Sequence, residues 1–177
     1  MLDVLWVEAI EEIYTQLVAN IADFPKQRAI LALVTDRDRA QYDFHVANND
    51  GASSSVLDLA KHRDIWPEVH YVDTRQLPSI RLDTLFREHD LAANSYQALV
   101  LDVQGAELMV LKGAGALLGG FNFVRCEAAD FESYAGGARL VELDRYLNDQ
   151  GFVEIARNAF AQRDAGGTYW DVVWKRS

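Results

Sequence analysis

The sequence predicts an α/β fold in which a mostly parallel sheet carries helices on both faces and ends in an antiparallel pair of strands. Strand-type and helix-type patterns alternate along the 177 residues, which is typical of strand–helix–strand crossover units. Residues 98–103 are nearly all apolar, as expected for a parallel strand covered on both faces. The last two strand patterns, residues 152–156 and 169–174, are joined through Gly166 and Gly167, and we expect this pair to be antiparallel.

The N-terminal region predicts a strand, a helix and a second strand. Residues 4–7 are an apolar run that ends at Glu8. The next apolar residues recur at the spacing of one helix face: Ile10, Ile13, Tyr14, Leu17, Val18 and Ile21. After Pro25, a second apolar run, residues 30–34, stops just before Asp36. This order predicts a parallel crossover unit.

The middle of the chain predicts two extended segments separated by a polar loop. Alternation over residues 41–46 predicts a strand, and residues 70–78 predict another. Between them, residues 48–55 are small, polar and turn-forming. Such a loop either folds over a site and excludes water or is simply flexible. Apolar residues within 82–86 then predict a short helix.

The C-terminal half continues the alternation. The predicted elements are a strand over residues 98–103, a helix after Gly105 that runs to residue 118, a strand over residues 121–126, a helix around residues 140–147 and the final strand pair. The sequence contains no repeat, low-complexity tract or linker, so we predict a single domain over residues 1–177.

Composition and charge exclude several classes of protein and partner. The formal net charge is −10, and an acidic chain of this kind is expected to repel nucleic acid and anionic membranes. No stretch approaches the roughly 18 apolar residues of a membrane span, and no signal peptide is recognised. We therefore expect a cytoplasmic protein.

The single cysteine and the four histidines do not predict a reactive or metal site. Cys126 lies within an apolar strand pattern, which favours a buried thiol over a nucleophile. The histidines show no paired metal-ligand spacing, so no metal site is predicted.

Acidic residues follow several of the predicted strands. They are Glu8, Asp36, Asp102 and Glu127. Ligands of open parallel sheets bind beyond the carboxyl ends of the strands. These carboxylates therefore either form a site along one rim or are ordinary strand-end acids.

Several segments, taken in order, resemble the FkbM family of S-adenosylmethionine-dependent methyltransferases. The segments are residues 5–9 with the helix residues 13–17, the polar loop 48–55, residues 82–85, and Leu101-Asp102-Val103-Gln104-Gly105-Ala106-Glu107-Leu108 continuing through residues 110–114. The resemblance implies a class I methyltransferase-like (Rossmann-like) fold. It also implies transfer of a methyl group from S-adenosylmethionine to a hydroxyl oxygen of a sugar or other secondary metabolite.

The same resemblance implies roles for four carboxylates. Glu8 resembles the residue that accepts hydrogen bonds from the ribose hydroxyls of the cofactor, and Asp36 would lie near the adenine. Asp102 would either bind the ammonium group of the cofactor or, as a catalytic residue, orient or deprotonate the acceptor hydroxyl. Glu107 is a second catalytic candidate, although a carboxylate at that position also favours the helix dipole.

The sequence departs from the family pattern at its beginning. Family members place a strand and an Asp-x-Gly-Ala-Asn-x-Gly type loop before the segment that opens this chain. We expect the absence of this first strand–loop–helix unit to leave either a gap beside its neighbouring strands or a direct pairing between them. One hypothesis is a methyltransferase completed by an N-terminal segment. The other is a truncated, catalytically silent fold that acts as a binding or assembly module, such as a homodimer.

Overall fold

A computed structural model of the protein describes residues 3–177; the first two residues of the predicted domain lie outside the described residues. The helices and strands are β1 (Val4–Glu8), α1 (Glu11–Asn20), β2 (Gln27–Leu31), β3 (Leu33–Thr35), β4 (Gln41–Ala47), β5 (Tyr71–Arg81), α2 (Leu82–Glu88), β6 (Ala98–Leu101), α3 (Glu107–Ala114), β7 (Phe123–Ala129), α4 (Leu140–Asp149), β8 (Phe152–Gln162) and β9 (Thr168–Arg176). Short 3-10 helices occupy Lys61–Asp64, Ala93–Ser95 and Gly115–Gly120.

The described strands are hydrogen-bonded in three sheets. The strand orders are β1-β2, β3-β5-β4 and β6-β7-β9-β8. The β1–β2, β3–β5 and β6–β7 pairs are parallel. The β4–β5, β7–β9 and β8–β9 pairs are antiparallel.

The structure therefore confirms two predictions from the sequence, the mixed α/β class and the antiparallel pairing of the last two strands. The sequence does not anticipate the division into separate sheets. The predicted segments around the polar loop form an antiparallel hairpin, β4–β5. Because β5 also takes β3 as its parallel partner, the second predicted strand is divided at Ala32, whose N–H donates to the Glu8 carbonyl oxygen.

A side chain of β1 is hydrogen-bonded to the backbone at the start of helix α1. The Glu8 carboxylate Oε1 accepts a hydrogen bond from the Ile10 N–H at 2.7 Å, one of the amides left without a partner at a helix start. Glu11 and Glu12 lie in the first turn, where negative charge is favourable. None of the α1 residues is fully buried, and Val18 is 42% exposed. Its apolar face is therefore only partly covered.

The main hydrophobic core surrounds α3. Its fully buried members include Leu111 of α3, Val124 and Cys126 of β7, Leu143 of α4 and Trp174 of β9. Ile30 of β2 belongs to the same cluster, with Leu5, Val34 and Ile80 packed against it. Complete burial of a leucine-sized side chain contributes about 1.5–3 kcal/mol. Cys126 is fully buried, which confirms the predicted buried thiol, and this burial raises the pKa of the thiol well above its ordinary value.

The close approach of α3 to the end of β3 requires a glycine. A Cβ built on Gly113 would lie 2.1 Å from the carbonyl oxygen of Thr35, far inside contact distance. Thr35 is itself fully buried, so neither backbone segment can easily move aside.

Among the described residues, no helix combines the length and the apolar character that crossing a bilayer requires.

We predict that Gly113→Ala destabilises the protein by about 2 kcal/mol. Alanine is the better helix former by about 1 kcal/mol, but the clash with a buried backbone atom outweighs this gain. Urea unfolding followed by circular dichroism measures the difference. Lys112→Ala, at the neighbouring exposed position of α3, is the matched control and should change stability by less than about 0.5 kcal/mol. Equal stabilities of the two variants would contradict the close contact.

Candidate functional site

The turn between β6 and α3 has an unusual backbone that a buried glutamate stabilises. Gln104 and Gly105 both adopt left-handed conformations, with φ of 52° and 93°. Glu107 opens α3 and is only 2% exposed. Its Oε1 accepts hydrogen bonds from the N–H groups of Val103 and Gly105, both at 3.2 Å. Glu107 therefore closes the turn that precedes its own helix.

Burial raises the pKa values of two glutamates, one at this turn and one on β7. Burial raises the pKa of Glu107 to about 7, although the backbone hydrogen bonds that it accepts oppose the shift. Burial likewise raises the pKa of Glu127, on β7, to about 7, and the negative charges of Asp102 and Glu107 add to this rise. Both carboxyl groups consequently exchange protons near neutral pH.

Asp102, directly after β6, is the exposed member of the same acidic group. We call Asp102, Glu107 and Glu127 the acidic rim. Asp102 raises the pKa of both glutamates, and its Oδ1 accepts a hydrogen bond from Gln104 Nε2 at 2.5 Å. The charge of Arg125 lowers the pKa of Glu127, but the Arg125 guanidinium also pairs with Asp171 at 2.7 Å. Asp102 is thus the exposed carboxylate of the rim, beside two glutamates whose pKa values are raised to about 7.

A small cavity lies beneath the rim. Its volume is about 10 Å³, close to the smallest space that holds one water molecule. The lining residues are Gln104, Gly105, Glu107, Glu127, Ala128, Ala129, Ser133, Tyr134, Ala138 and Tyr169. Glu107 and Glu127 therefore border the same small space as Tyr134 and Tyr169.

The serine-rich loop that follows β4 is held against the β6–α3 turn. Ser53, Ser54 and Ser55 are all buried. The Ser55 hydroxyl donates to the Gln104 carbonyl oxygen at 2.8 Å, and the Ser54 hydroxyl accepts from the Ala47 N–H at 3.0 Å. The loop thus fixes one side of the turn that carries Asp102.

A buried histidine ties this loop to the C-terminal sheet. His62 Nδ1 lies 2.7 Å from the Tyr169 hydroxyl, and His62 Nε2 lies 3.2 Å from the Ser53 hydroxyl. Burial lowers the pKa of His62 to about 4, so the ring is neutral near pH 7. Sequence patterns gave no signal for this site, because Tyr169 lies 107 positions further along the chain.

The remaining predicted site residues lie at other strand ends. Glu8 ends β1, and its Oε1 accepts a hydrogen bond from the Ile10 N–H. Asp36 follows β3, and its Oδ1 accepts a hydrogen bond from the Tyr42 hydroxyl at 3.4 Å. Within residues 3–177, no hydrogen bond or ion pair joins either carboxylate to the acidic rim. The structure therefore brings Asp102 and Glu107 together, whereas the cofactor-binding role of Glu8 and Asp36 stays a prediction.

Two further residues of this region were not singled out from the sequence. They are Gln104 and Tyr134, whose side chains are hydrogen-bonded to each other at 2.6 Å. Gln104 belongs to the motif after β6 that carries the family resemblance, but no role was predicted for either residue. Across residues 3–177, no group of three or more histidine, cysteine or acidic side chains is arranged to hold a metal ion.

A family model described as the methyltransferase FkbM domain matches residues 3–154, which includes β1, the serine-rich loop and the whole acidic rim. No curated protein and no solved structure matches the chain significantly.

We predict that Glu127→Gln becomes more stable relative to the unsubstituted protein as the pH rises from 5 to 8. The pKa of Glu127 is raised to about 7 from its ordinary value of 4.5, so the folded state retains a proton that the unfolded chain releases. The stability associated with that proton is present below pH 4.5 and is lost as the pH rises through 7. We expect a relative gain of about 1 kcal/mol, less than the full shift implies because the side chain is partly exposed.

Urea unfolding at pH 5, 6, 7 and 8 measures this difference. Glu88→Gln, which removes an exposed carboxylate of α2, is the control for the loss of one negative charge. Parallel stability curves for the unsubstituted protein and Glu127→Gln would show that Glu127 is not protonated in the folded state.

Proposed function

The chain belongs to the FkbM methyltransferase family, and from this membership we propose that it transfers a methyl group from S-adenosylmethionine to a hydroxyl oxygen of a sugar or other secondary metabolite. The observation that carries the proposal is the acidic rim, which lies at the strand end after β6 within the matched residues. It combines an exposed carboxylate, Asp102, with two carboxyl groups that exchange protons near neutral pH.

We propose that the site follows the Rossmann-like rule, with ligands bound beyond the carboxyl ends of parallel strands. The parallel pairs β1–β2 and β6–β7 support this arrangement. β1 is followed by α1, and β6 is followed by α3, as in a parallel crossover fold. Glu8 is the last residue of β1, and Asp102 directly follows β6.

The chemistry of these carboxylates fits S-adenosylmethionine. Glu8 Oε1 accepts a hydrogen bond from the Ile10 N–H, whereas Glu8 Oε2 makes no hydrogen bond with the described residues. Oε2 can therefore accept hydrogen bonds from the ribose hydroxyls. Asp36 is assigned to the adenine amine, which requires an acceptor. Asp102 is assigned to the ammonium group, because an exposed carboxylate forms a charge-assisted hydrogen bond with it. When bound, the cofactor supplies an electrophilic methyl group.

The acceptor hydroxyl must lose its proton during the transfer. Asp102 is exposed and can orient this hydroxyl in addition to binding the cofactor. Glu107 and Glu127 have pKa values raised to about 7, which lets them take up a proton near neutral pH. Glu107 is enclosed in the turn and borders a cavity of about 10 Å³, so a proton would reach it through a water molecule in that cavity.

We expect the chain to bind S-adenosylmethionine with micromolar affinity in calorimetric titration. Glu8→Gln should weaken binding about tenfold, since glutamine still caps Ile10 but provides a neutral acceptor in place of a carboxylate. Asp102→Ala should weaken binding to a similar extent by removing the charged partner of the ammonium group.

Glu11→Gln, which changes an exposed carboxylate in the first turn of α1, is the matched control and should bind as the unsubstituted protein does. If a folded sample releases no heat with S-adenosylmethionine, the methyltransferase proposal for this chain is wrong. Only a binding result would justify a screen of hydroxyl acceptors.

A second candidate function, a catalytically silent binding or assembly module, is favoured by two open strand edges. Among the described strands, β1 pairs only with β2 and β6 pairs only with β7. Trp6 on β1 is 44% exposed and Val100 on β6 is 59% exposed. Unpaired edges that carry exposed apolar side chains favour pairing with another strand. We infer that the partner is a second copy of the chain or an extended complementing segment.

Light scattering coupled to size-exclusion chromatography tests the module as a homodimer. We expect a dimer at micromolar concentration and a monomer for Val100→Lys, because a lysine at a strand edge disfavours pairing. Val153→Lys, on exposed β8, should remain dimeric. A monomer at all concentrations for the unsubstituted chain would exclude the homodimer.

A further inference from the structure

The side chain of Gln104 connects Tyr134 with Asp102. The Tyr134 hydroxyl lies 2.6 Å from Gln104 Oε1, and Gln104 Nε2 lies 2.5 Å from Asp102 Oδ1. A carboxylate only accepts hydrogen bonds, so the amide nitrogen must face Asp102. The amide oxygen then faces Tyr134, and the tyrosine hydroxyl donates. Each hydrogen bond in this chain therefore has one possible direction, from Tyr134 to Gln104 and from Gln104 to Asp102.

Tyr134 is a fixed donor. Its side chain is 1% exposed, and burial raises the pKa of its hydroxyl far above the ordinary value, so the group stays protonated. The ring packs directly on the β6–α3 turn, where a Cβ on Gly105 would lie 2.9 Å from the Tyr134 Cβ. The hydroxyl is therefore held against Gln104 from a separate part of the chain.

The backbone of Gln104 is held in an unfavourable conformation. Its φ of 52° lies in the left-handed region, which a residue with a Cβ rarely adopts. The Ser55 hydroxyl fixes the carbonyl oxygen of the same residue. A glycine would occupy this position without strain, yet the position carries a side chain that spans two partners. Strain of this kind is typical of functional sites.

We propose that Gln104 and Tyr134 are positioning residues that hold the Asp102 carboxylate toward the methyl donor. The inference rests on the proposed function, in which Asp102 binds the ammonium group of S-adenosylmethionine. An exposed aspartate without these contacts rotates among several side-chain conformations. The hydrogen bond from Gln104 selects one conformation before the ligand arrives, and this lowers the entropic cost of binding.

Two variants remove the connection with little change to the turn. Gln104→Asn keeps an amide and tolerates the left-handed backbone, but it is one methylene too short to reach both partners. Tyr134→Phe removes only the hydroxyl and keeps the ring packed on Gly105. Each variant is made alone and in an Asp102→Ala background, and S-adenosylmethionine affinity is measured for all of them by calorimetry.

With Asp102 present, each variant should bind S-adenosylmethionine roughly fivefold to tenfold more weakly, the loss expected for one ordinary hydrogen bond. In the Asp102→Ala background, the same changes should alter affinity less than about twofold, because no carboxylate remains to be positioned. Urea midpoints confirm that the variants are folded. A purely structural role would instead weaken binding equally in both backgrounds.

The outcomes distinguish failure of the positioning role from failure of the proposed methyltransferase function. Binding by the unsubstituted protein with equal losses in both backgrounds overturns the positioning role alone. Binding that Asp102→Ala leaves unchanged also overturns it, because Asp102 then does not contact the donor. No binding by the unsubstituted protein overturns the proposed function, and the positioning role is rejected with it.

Discussion

Side-chain packing around α3 joins the three sheets, which share no ladder of backbone hydrogen bonds among the described strands. One cluster contains Ile30 of the first sheet together with Val124 and Trp174 of the third, and Ile80 of the second packs against it. The contact of Gly113 with Thr35 sets how closely α3 approaches β3. The relative position of the strand ends, and hence of their carboxylates, depends on this packing being dense and free of voids.

Glu107 affects both the backbone conformation and the protonation of the site. Glu107 stabilises the β6–α3 turn by accepting two backbone hydrogen bonds, and the same burial that makes this geometry rigid raises its pKa. The residue that shapes the turn is therefore also one that exchanges protons near neutral pH. Buried polar groups of this kind are useful only when fully satisfied, and within residues 3–177 no buried side-chain nitrogen or oxygen lacks a partner.

Local features of the fold could be predicted from the sequence, whereas long-range pairings could not. Apolar runs located β1 and β6, and helical spacing of apolar residues located α4. The expectation that both faces of β6 are covered is wrong, because β6 is an edge strand and Val100 is 59% exposed. The helix predicted to reach residue 118 ends instead at Ala114, since Gly115 adopts a positive φ of 51°. The family resemblance, carried by ordered motifs, is confirmed. Contacts such as His62 with Tyr169 join distant segments and leave no local pattern.

The buried thiol of Cys126 gives the molecule an internal reporter of its own opening. The sequence contains one cysteine, and its side chain is fully buried in the main hydrophobic core with a raised pKa. A thiol-specific reagent can therefore modify the folded protein at one atom only, and only when the core around α3 separates. Its rate of labelling measures how often that separation occurs. Ligands that bind the native rim would slow the labelling in proportion to their occupancy.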